Sequence, residues 1–385
     1  MNKNAMIIYL DNAASTPMDP EVFEAMKPYF LDHFGNPSST HAHGRTLRNA
    51  IEDSRRTVAK HLGVTPGEIC FTSGGTEADN MAIKSSLEAF DLKHVISTRI
   101  EHHAVSHTLE HLEEHGKIKV TWLGVDGKGH IDHEELREAL ATNSRSLVSL
   151  MHANNELGTL HDIHAIGEIC REYDAIFHSD TVQSMCNVKY DLASTPVDMI
   201  TASAHKFYGP KGVGFLYIRK GLNVPGFISG GGQERNRRAG TENAAFIVGL
   251  AHAFNKCYSS FDSKSEKLWD LKNYMKQRLM ETFPGVSFNG ETEPGKSLPT
   301  VLNVSLPCNE KDCMLLFNLD LAGICASGGS ACSSGAVMGS FVLREIGVEG
   351  AQLLNAIRFS FGVQNTREEI DITIEKLKDY VPMPV

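Results

Sequence analysis

From about residue 68 onward the chain alternates short β-branched apolar runs with longer stretches whose apolar positions recur at helical spacing. E-I-C-F-T (68–72), H-V-I-S-T (94–98), K-V-T-W-L (119–123), S-L-V-S-L-M (146–151), A-I-F-H (175–178) and D-M-I-T-A-S (198–203) have the length and residue preference of strands. Between them the spacing predicts helices, among them one from Thr76 and one from Ala104. Such alternation predicts an α/β fold with a largely parallel sheet covered by helices, and ligands of such sheets sit beyond the carboxyl ends of the strands.

A glycine-rich passage, I-S-G-G-G-Q-E-R-N-R-R-A-G-T (228–241), breaks the alternation, and two long helical segments follow at about 242–283. Beyond them T-V-L-N-V-S and A-I-R-F-S mix with helical stretches, the pattern of a smaller α+β unit. The predicted division is a large domain over 16–255 and a small one formed by 1–15 with 256–385. With 385 residues and 41% apolar content, the chain has the size for two associated domains.

Charge narrows the function classes. The net charge of −10, from 37 basic and 47 acidic side chains, leaves no electrostatic footprint for nucleic acid or an anionic membrane. No apolar run approaches the roughly 20 residues of a membrane span, and the start lacks a secretion signal, so a cytoplasmic protein is expected. The eight cysteines (70, 170, 186, 257, 308, 313, 325 and 332) contain no Cys-x-x-Cys pair, which argues against a disulfide framework or zinc knuckle.

Four segments carry candidate chemistry. F-T-S-G-G-T-E (71–77) runs from a strand into a helix, where free backbone N–H groups and glycines make a phosphate cradle or simply a capped turn. Asp180 falls at the carboxyl end of a buried strand, where its charge calls for a cation. Ser203, His205 and Lys206 follow the next strand, and a lysine there is either solvated or, once desolvated, a nucleophile able to hold an aldehyde cofactor. Cys332 lies in C-A-S-G-G-S-A-C-S-S-G-A-V-M-G-S (325–340), whose small residues read either as a plain surface loop or as the arm of a thiol carrier; Cys325 reads as a strand end.

Taken together in order, Y-L-D-N-A-A-S-T-P (9–17), F-G-N-P-S-S, T-S-G-G-T-E, E-H (101–102), M-H-A-N-N-E-L-G, D-T-V-Q-S, S-A-H-K-F-Y-G-P-K-G, G-G-G-Q-E-R, R-A-G-T, S-G-G-S-A-C and I-R-F-S resemble the cysteine desulfurases of the class V aminotransferase family over nearly the whole chain. The resemblance implies an aspartate-aminotransferase-like (fold type I) architecture and pyridoxal 5'-phosphate as cofactor. It implies that Lys206 holds the cofactor and acts as the catalytic base, Asp180 pairs its ring nitrogen and His102 stacks over the ring and shuttles protons. Gln183 and Asn155 would contact the phenolic oxygen, Asn155 would also contact the substrate, and Gly75, Thr76, Ser203 and His205 would bind the phosphate. Thr241 would reach the phosphate of a second subunit in a homodimer, Arg358 would bind the substrate carboxylate, and Cys332 would take sulfur from L-cysteine as a persulfide. The sulfur would pass to an acceptor such as an iron–sulfur scaffold, on which Cys332 could transiently ligate a cluster. A selenocysteine lyase or an aminotransferase of the same fold is the alternative.

One further pattern is set aside at this stage. His103, His107, His111 and His115 recur every four residues, and His111 to His115 matches the H-x-x-E-H zinc-protease pattern. At about 100° per residue, Val105, Leu109 and Leu112 form the buried face and these histidines point to water, with no third ligand for a catalytic zinc. No resident metal is expected, only adventitious nickel or zinc. On the same wheel His102 falls nearer the buried side than His103.

Overall fold

The computed structural model describes residues 7–143, 145–308, 314–329 and 339–381. In chain order the strands are β1 (Ile8–Tyr9), β2 (Ile69–Thr72), β3 (His94–Thr98), β4 (Lys119–Leu123), β5 (Leu147–Ser149) and β6 (Ile176–Asp180). They continue with β7 (Met199–Ser203), β8 (Gly214–Ile218), β9 (Ser287–Asn289), β10 (Val301–Ser305), β11 (Ile324–Cys325) and β12 (Ala356–Ser360). Seven of them form one sheet in the order β2-β8-β7-β6-β5-β3-β4. Every pairing in it is parallel except those of β8, which runs antiparallel to both β2 and β7. The fold is therefore α/β with a mixed, mostly parallel sheet, and β9, β10 and β12 form a small antiparallel sheet in the order β12-β10-β9.

Strands β3, β6 and β7 are buried along their whole length, as strands covered on both faces must be. Several of their polar residues satisfy one another. His178 on β6 shares hydrogen bonds with Ser149 Oγ (2.9 Å) and Thr201 Oγ1 (3.1 Å), and His94 on β3 does so with Ser146 Oγ and Thr121 Oγ1, both 2.8 Å away.

Four hydrophobic clusters are buried among the described residues, and the two largest draw on different parts of the chain. One gathers residues from Val22 to Cys257 around the seven-stranded sheet, and the other joins Ile8 and Leu10 to residues between Leu268 and Val381. From this partition we propose the domain division near residue 256, with the first 15 residues going to the small domain. The N-terminal strand β1 pairs in parallel with β11, and Asp11 bridges to Ser360, so the segment that follows β1 is delivered from the second core onto the first.

Candidate active site

The turns that carry Gly75, His102, Asn155, Asp180 and Lys206 follow the carboxyl ends of β2, β3, β5, β6 and β7, where ligands of such sheets sit. The turn after β2 starts the helix Gly75–Ala89, whose N-cap is Gly74 at φ +151, one residue earlier than the spacing predicted. A Cβ on Gly75 would meet Val182 Cγ2 at 2.9 Å and Ser203 Cβ at 3.7 Å, so glycine there keeps the backbone open beside β7. Glu77 accepts from Ser73 N (2.9 Å) and pairs with Arg238 (2.8 Å), tying the R-A-G-T segment to this helix start.

One cavity of about 310 Å³ is lined by Gly75, Thr76, His102, Asn155, Asp180 and Gln183 together with Ser203, His205, Lys206 and Arg358. These are the sequence-predicted site residues other than Thr241 and Cys332. Thr241 is exposed and does not line the cavity of its own chain, and Cys332 lies outside the described residues.

Lys206 follows β7 in a single tight turn and donates from Nζ to the carbonyls of Ala13 (2.6 Å) and Ala14 (3.0 Å). Burial, reinforced by the Arg358 charge, pulls its pKa down to about 8, so a useful fraction of the amine is neutral near physiological pH. Asp180 ends β6 buried, accepts from Val182 N (2.8 Å) and forms no ion pair among the described residues. Burial and then the nearby Asp79 raise its pKa to about 6. Such a carboxylate gains most from a protonated ring nitrogen set against it.

Arg358 on β12 is 3% exposed. Its Nη1 donates to Asn155 O (2.9 Å) and its Nη2 to Asp11 (2.8 Å), while its Nε is buried without a hydrogen-bond partner. A planar donor with an unsatisfied N–H beside a cavity fits a carboxylate. Gln183 is held by Ala13 O (3.0 Å), and His205 faces Ser15 Oγ (3.3 Å), with burial lowering its pKa to about 4 so that it stays neutral.

The helical-wheel reading of His102 is corrected. His102 is exposed and His103 only partly so, because His102 is not in the helix His103–Glu114 but is its N-cap in extended conformation. Its Nδ1 accepts from Ala104 N (3.1 Å), which leaves Nε2 to carry the proton of the neutral ring. The ring is accessible because it lines an open cavity, yet enough protein surrounds it for desolvation to lower its pKa.

The sequence reading missed three groups. Asp79 lines the same cavity, with burial raising its pKa to about 7; it sits 3.5 Å from His178 Nε2, and its Oδ1 has no hydrogen-bond partner. Glu101 is buried, accepts from Met151 N (2.7 Å) and is held well above the usual carboxylate range by burial. The third is the pair of carbonyls at Ala13 and Ala14. Asp79 left a trace in the sequence, a carboxylate among the buried Ala78, Met81 and Ala82 of one helix.

The family model for class V aminotransferases matches residues 8–373. The chain belongs to the class V aminotransferase family. Among its relatives is the cysteine desulfurase IscS of Dictyoglomus turgidum, 43% identical over 373 residues that cover 96% of this chain and 93% of the relative. A solved NifS-like protein superposes with a TM-score of 0.89 at 35% identity, covering 97% of this chain and 99% of the other. SspA, solved in complex with cysteine, does so with a TM-score of 0.80 at 34% identity, covering 92% and 98% of the two chains. As a class V aminotransferase the protein is an enzyme of fold type I whose cofactor is pyridoxal 5'-phosphate. The residues present fit that group, since the amine, the unpaired buried carboxylate and the glycine-lined helix start meet in one cavity.

This arrangement makes cofactor uptake pH-dependent. Only the neutral amine attacks an aldehyde, so its availability rises with pH through the folded pKa of Lys206. The rate at which apoenzyme takes up pyridoxal phosphate is expected to climb between about pH 7 and pH 9, with a midpoint near 8. A midpoint near 10 in stopped-flow absorbance would contradict the environment assigned to Lys206.

Proposed function

We propose that this enzyme is a cysteine desulfurase that converts L-cysteine to L-alanine and retains the sulfur as a persulfide on Cys332. The observation that carries the reading is the meeting of Lys206, Asp180 and Arg358 in one cavity, the three groups that a cofactor-bound α-amino acid requires. Likeness to a desulfurase over nearly the whole of both chains supports it, as does likeness to a solved relative holding cysteine.

When bound, the cofactor supplies an aldehyde for covalent attachment and a ring that accepts the electron pair released at the substrate α-carbon. Arg358 holds the substrate carboxylate and so fixes the α-carbon within reach of Lys206. Lys206, as a neutral amine, would take the α-proton. Asp180 would hold a protonated ring nitrogen, and Asn155 and Gln183 the phenolic oxygen. Gly75, Thr76, Ser203 and His205 would hold the phosphate, and His102, which lines the same cavity, would supply its Nε2 proton. Cys332 attacks the substrate sulfur as a thiolate. The new S–S bond forms as the Cβ–S bond breaks, and the electron pair left on carbon collects a proton to give alanine.

The enzyme works as a homodimer in which Thr241 reaches the phosphate held by the other subunit. The exposure of Thr241, the Arg238–Glu77 tether beside it and the exposed Phe23, Phe30, Leu31 and Phe34 support this arrangement. Sedimentation should find a dimer, and Thr241→Ala should weaken cofactor retention; a monomer with full activity would remove the proposal. No described helix is long and apolar enough to cross a membrane, and we place the enzyme in the cytoplasm, supplying an acceptor such as an iron–sulfur scaffold.

The deciding experiment is mass spectrometry after incubation with L-cysteine, which should find one added sulfur atom on the Cys332 peptide. Cys332→Ala should keep the yellow colour of the bound cofactor and lose alanine formation. Equal turnover in that variant would point to a lyase or aminotransferase of the same fold. For the carboxylate clamp, Arg358→Lys is expected to lower kcat/KM for cysteine about 10- to 100-fold, the loss of one charge-assisted contact of about 1.5–3 kcal/mol.

A further inference from the structure

The histidines of the helix His103–Glu114 and its C-cap serve no part of the reaction above. His103, His107, His111 and His115 occupy one side of the helix; the last three are exposed and His103 is partly so, while Val105 and Leu109 are fully buried opposite them. The rings of His103 and His107 stack with centroids 4.0 Å apart at 22°, and those of His111 and His115 lie 4.2 Å apart at 44°. Four-residue spacing on a helix brings side chains within reach of one another, so a rotation of the stacked rings would let two imidazole nitrogens converge on one ion.

Hydrogen bonding leaves ligand nitrogens free. His115 Nδ1 lies 2.7 Å from His111 O and must donate to that carbonyl, so its Nε2 carries the lone pair. The Nδ1 of His103 is buried without a hydrogen-bond partner, against Phe341. Among the described residues none of the four forms an ion pair with a carboxylate, and no group of three ligands assembles. Any ion held here therefore has two protein ligands and keeps its other positions for water.

We propose that this histidine ladder is a chelating site for borderline divalent cations that favour imidazole, namely nickel, copper or zinc, with two ions filling the pairs His103–His107 and His111–His115. Imidazole nitrogen suits these ions, and the net charge of −10 favours cation approach. Once one ring has bound, the second is presented at high effective concentration, so affinity depends on intact pairs and not on the number of histidines.

That dependence gives the test. Cofactor-loaded enzyme is titrated with Ni2+ by calorimetry, free of thiols and chelating buffer. His107→Ala with His111→Ala leaves two histidines but no pair, and should weaken binding by on the order of 10- to 100-fold. His103→Ala with His115→Ala also leaves two histidines, but as the adjacent pair His107–His111, and should retain one ion. Ni2+ should raise the melting temperature of the wild type and of the second variant but not of the first. Wild-type affinity and stoichiometry in the first variant, or loss of all binding in the second, would overturn the proposal.

Discussion

Lys206→Ala is expected to abolish desulfurase turnover and to leave the cofactor removable by dialysis. In the wild type, borohydride should fix a pyridoxyl group on the Lys206 peptide, and in the variant no peptide should carry one. Loss of the proton-transfer group alone accounts for about 10²- to 10⁴-fold in rate, and loss of the covalent anchor adds to it. The fold should survive, because among the described residues the amine hydrogen-bonds only the carbonyls of Ala13 and Ala14 and its burial already disfavours its charge. Retained turnover, or an adduct on another lysine, would take away the basis of the functional reading.

Glu234→Ala is expected to destabilise the large domain by about 3 kcal/mol, the low end for breaking a buried pair, because half-buried Glu52, 3.0 Å from Arg55 Nε, remains as a partial counter-ion. The carboxylate of Glu234 accepts from Arg55 Nη1 (2.7 Å), Arg55 Nη2 (2.9 Å) and Phe71 N (2.9 Å), and both side chains of the pair are almost fully buried. Arg55 Nη1 also donates to Ile69 O (2.8 Å). The pair thus satisfies the outward backbone groups of β2, an edge strand that would otherwise present them for pairing with another chain. Holding Glu234 there requires left-handed backbone at Glu234, Arg235 and Asn236, with φ of 45°, 59° and 65°. Urea unfolding should show the loss as a lower midpoint, and Arg55→Met combined with Glu234→Leu should recover much of it. A single variant as stable as wild type would mean that the pair contributes no net stability.

The motifs therefore carry structural as well as chemical meaning, and they were legible to different degrees. Asp180, Ser203 and Lys206 were placed correctly because each ends or follows a strand whose apolar run is plain in the sequence. Strand β8 (Gly214–Ile218) is absent from the predicted strands, and with it the antiparallel direction that it brings into the sheet. Only residues 204–213 separate β7 from β8, too few for the crossover that a parallel neighbour needs, so chain length could have revealed it. His102 was misplaced because a wheel assumes helical backbone, and a cap residue has none. The partners of Lys206 and Arg358 at residues 11–14 were invisible because they are backbone carbonyls and one carboxylate brought from the far end of the chain by the β1–β11 pairing.

The antiparallel bridge between Ser327 and Arg358 has a consequence for delivery. Two backbone hydrogen bonds, of 2.6 and 3.2 Å, fasten the peptide just ahead of the cysteine segment to the residue assigned to the substrate carboxylate. Cys332 follows five residues later in the sequence, and a fully extended chain spans at most about 3.3–3.6 Å per residue, so the two Cα atoms can be no more than roughly 18 Å apart. Under the proposed persulfide chemistry an acceptor would have to approach within that radius, and inserting residues between Ser327 and Cys332 would widen it without moving its centre.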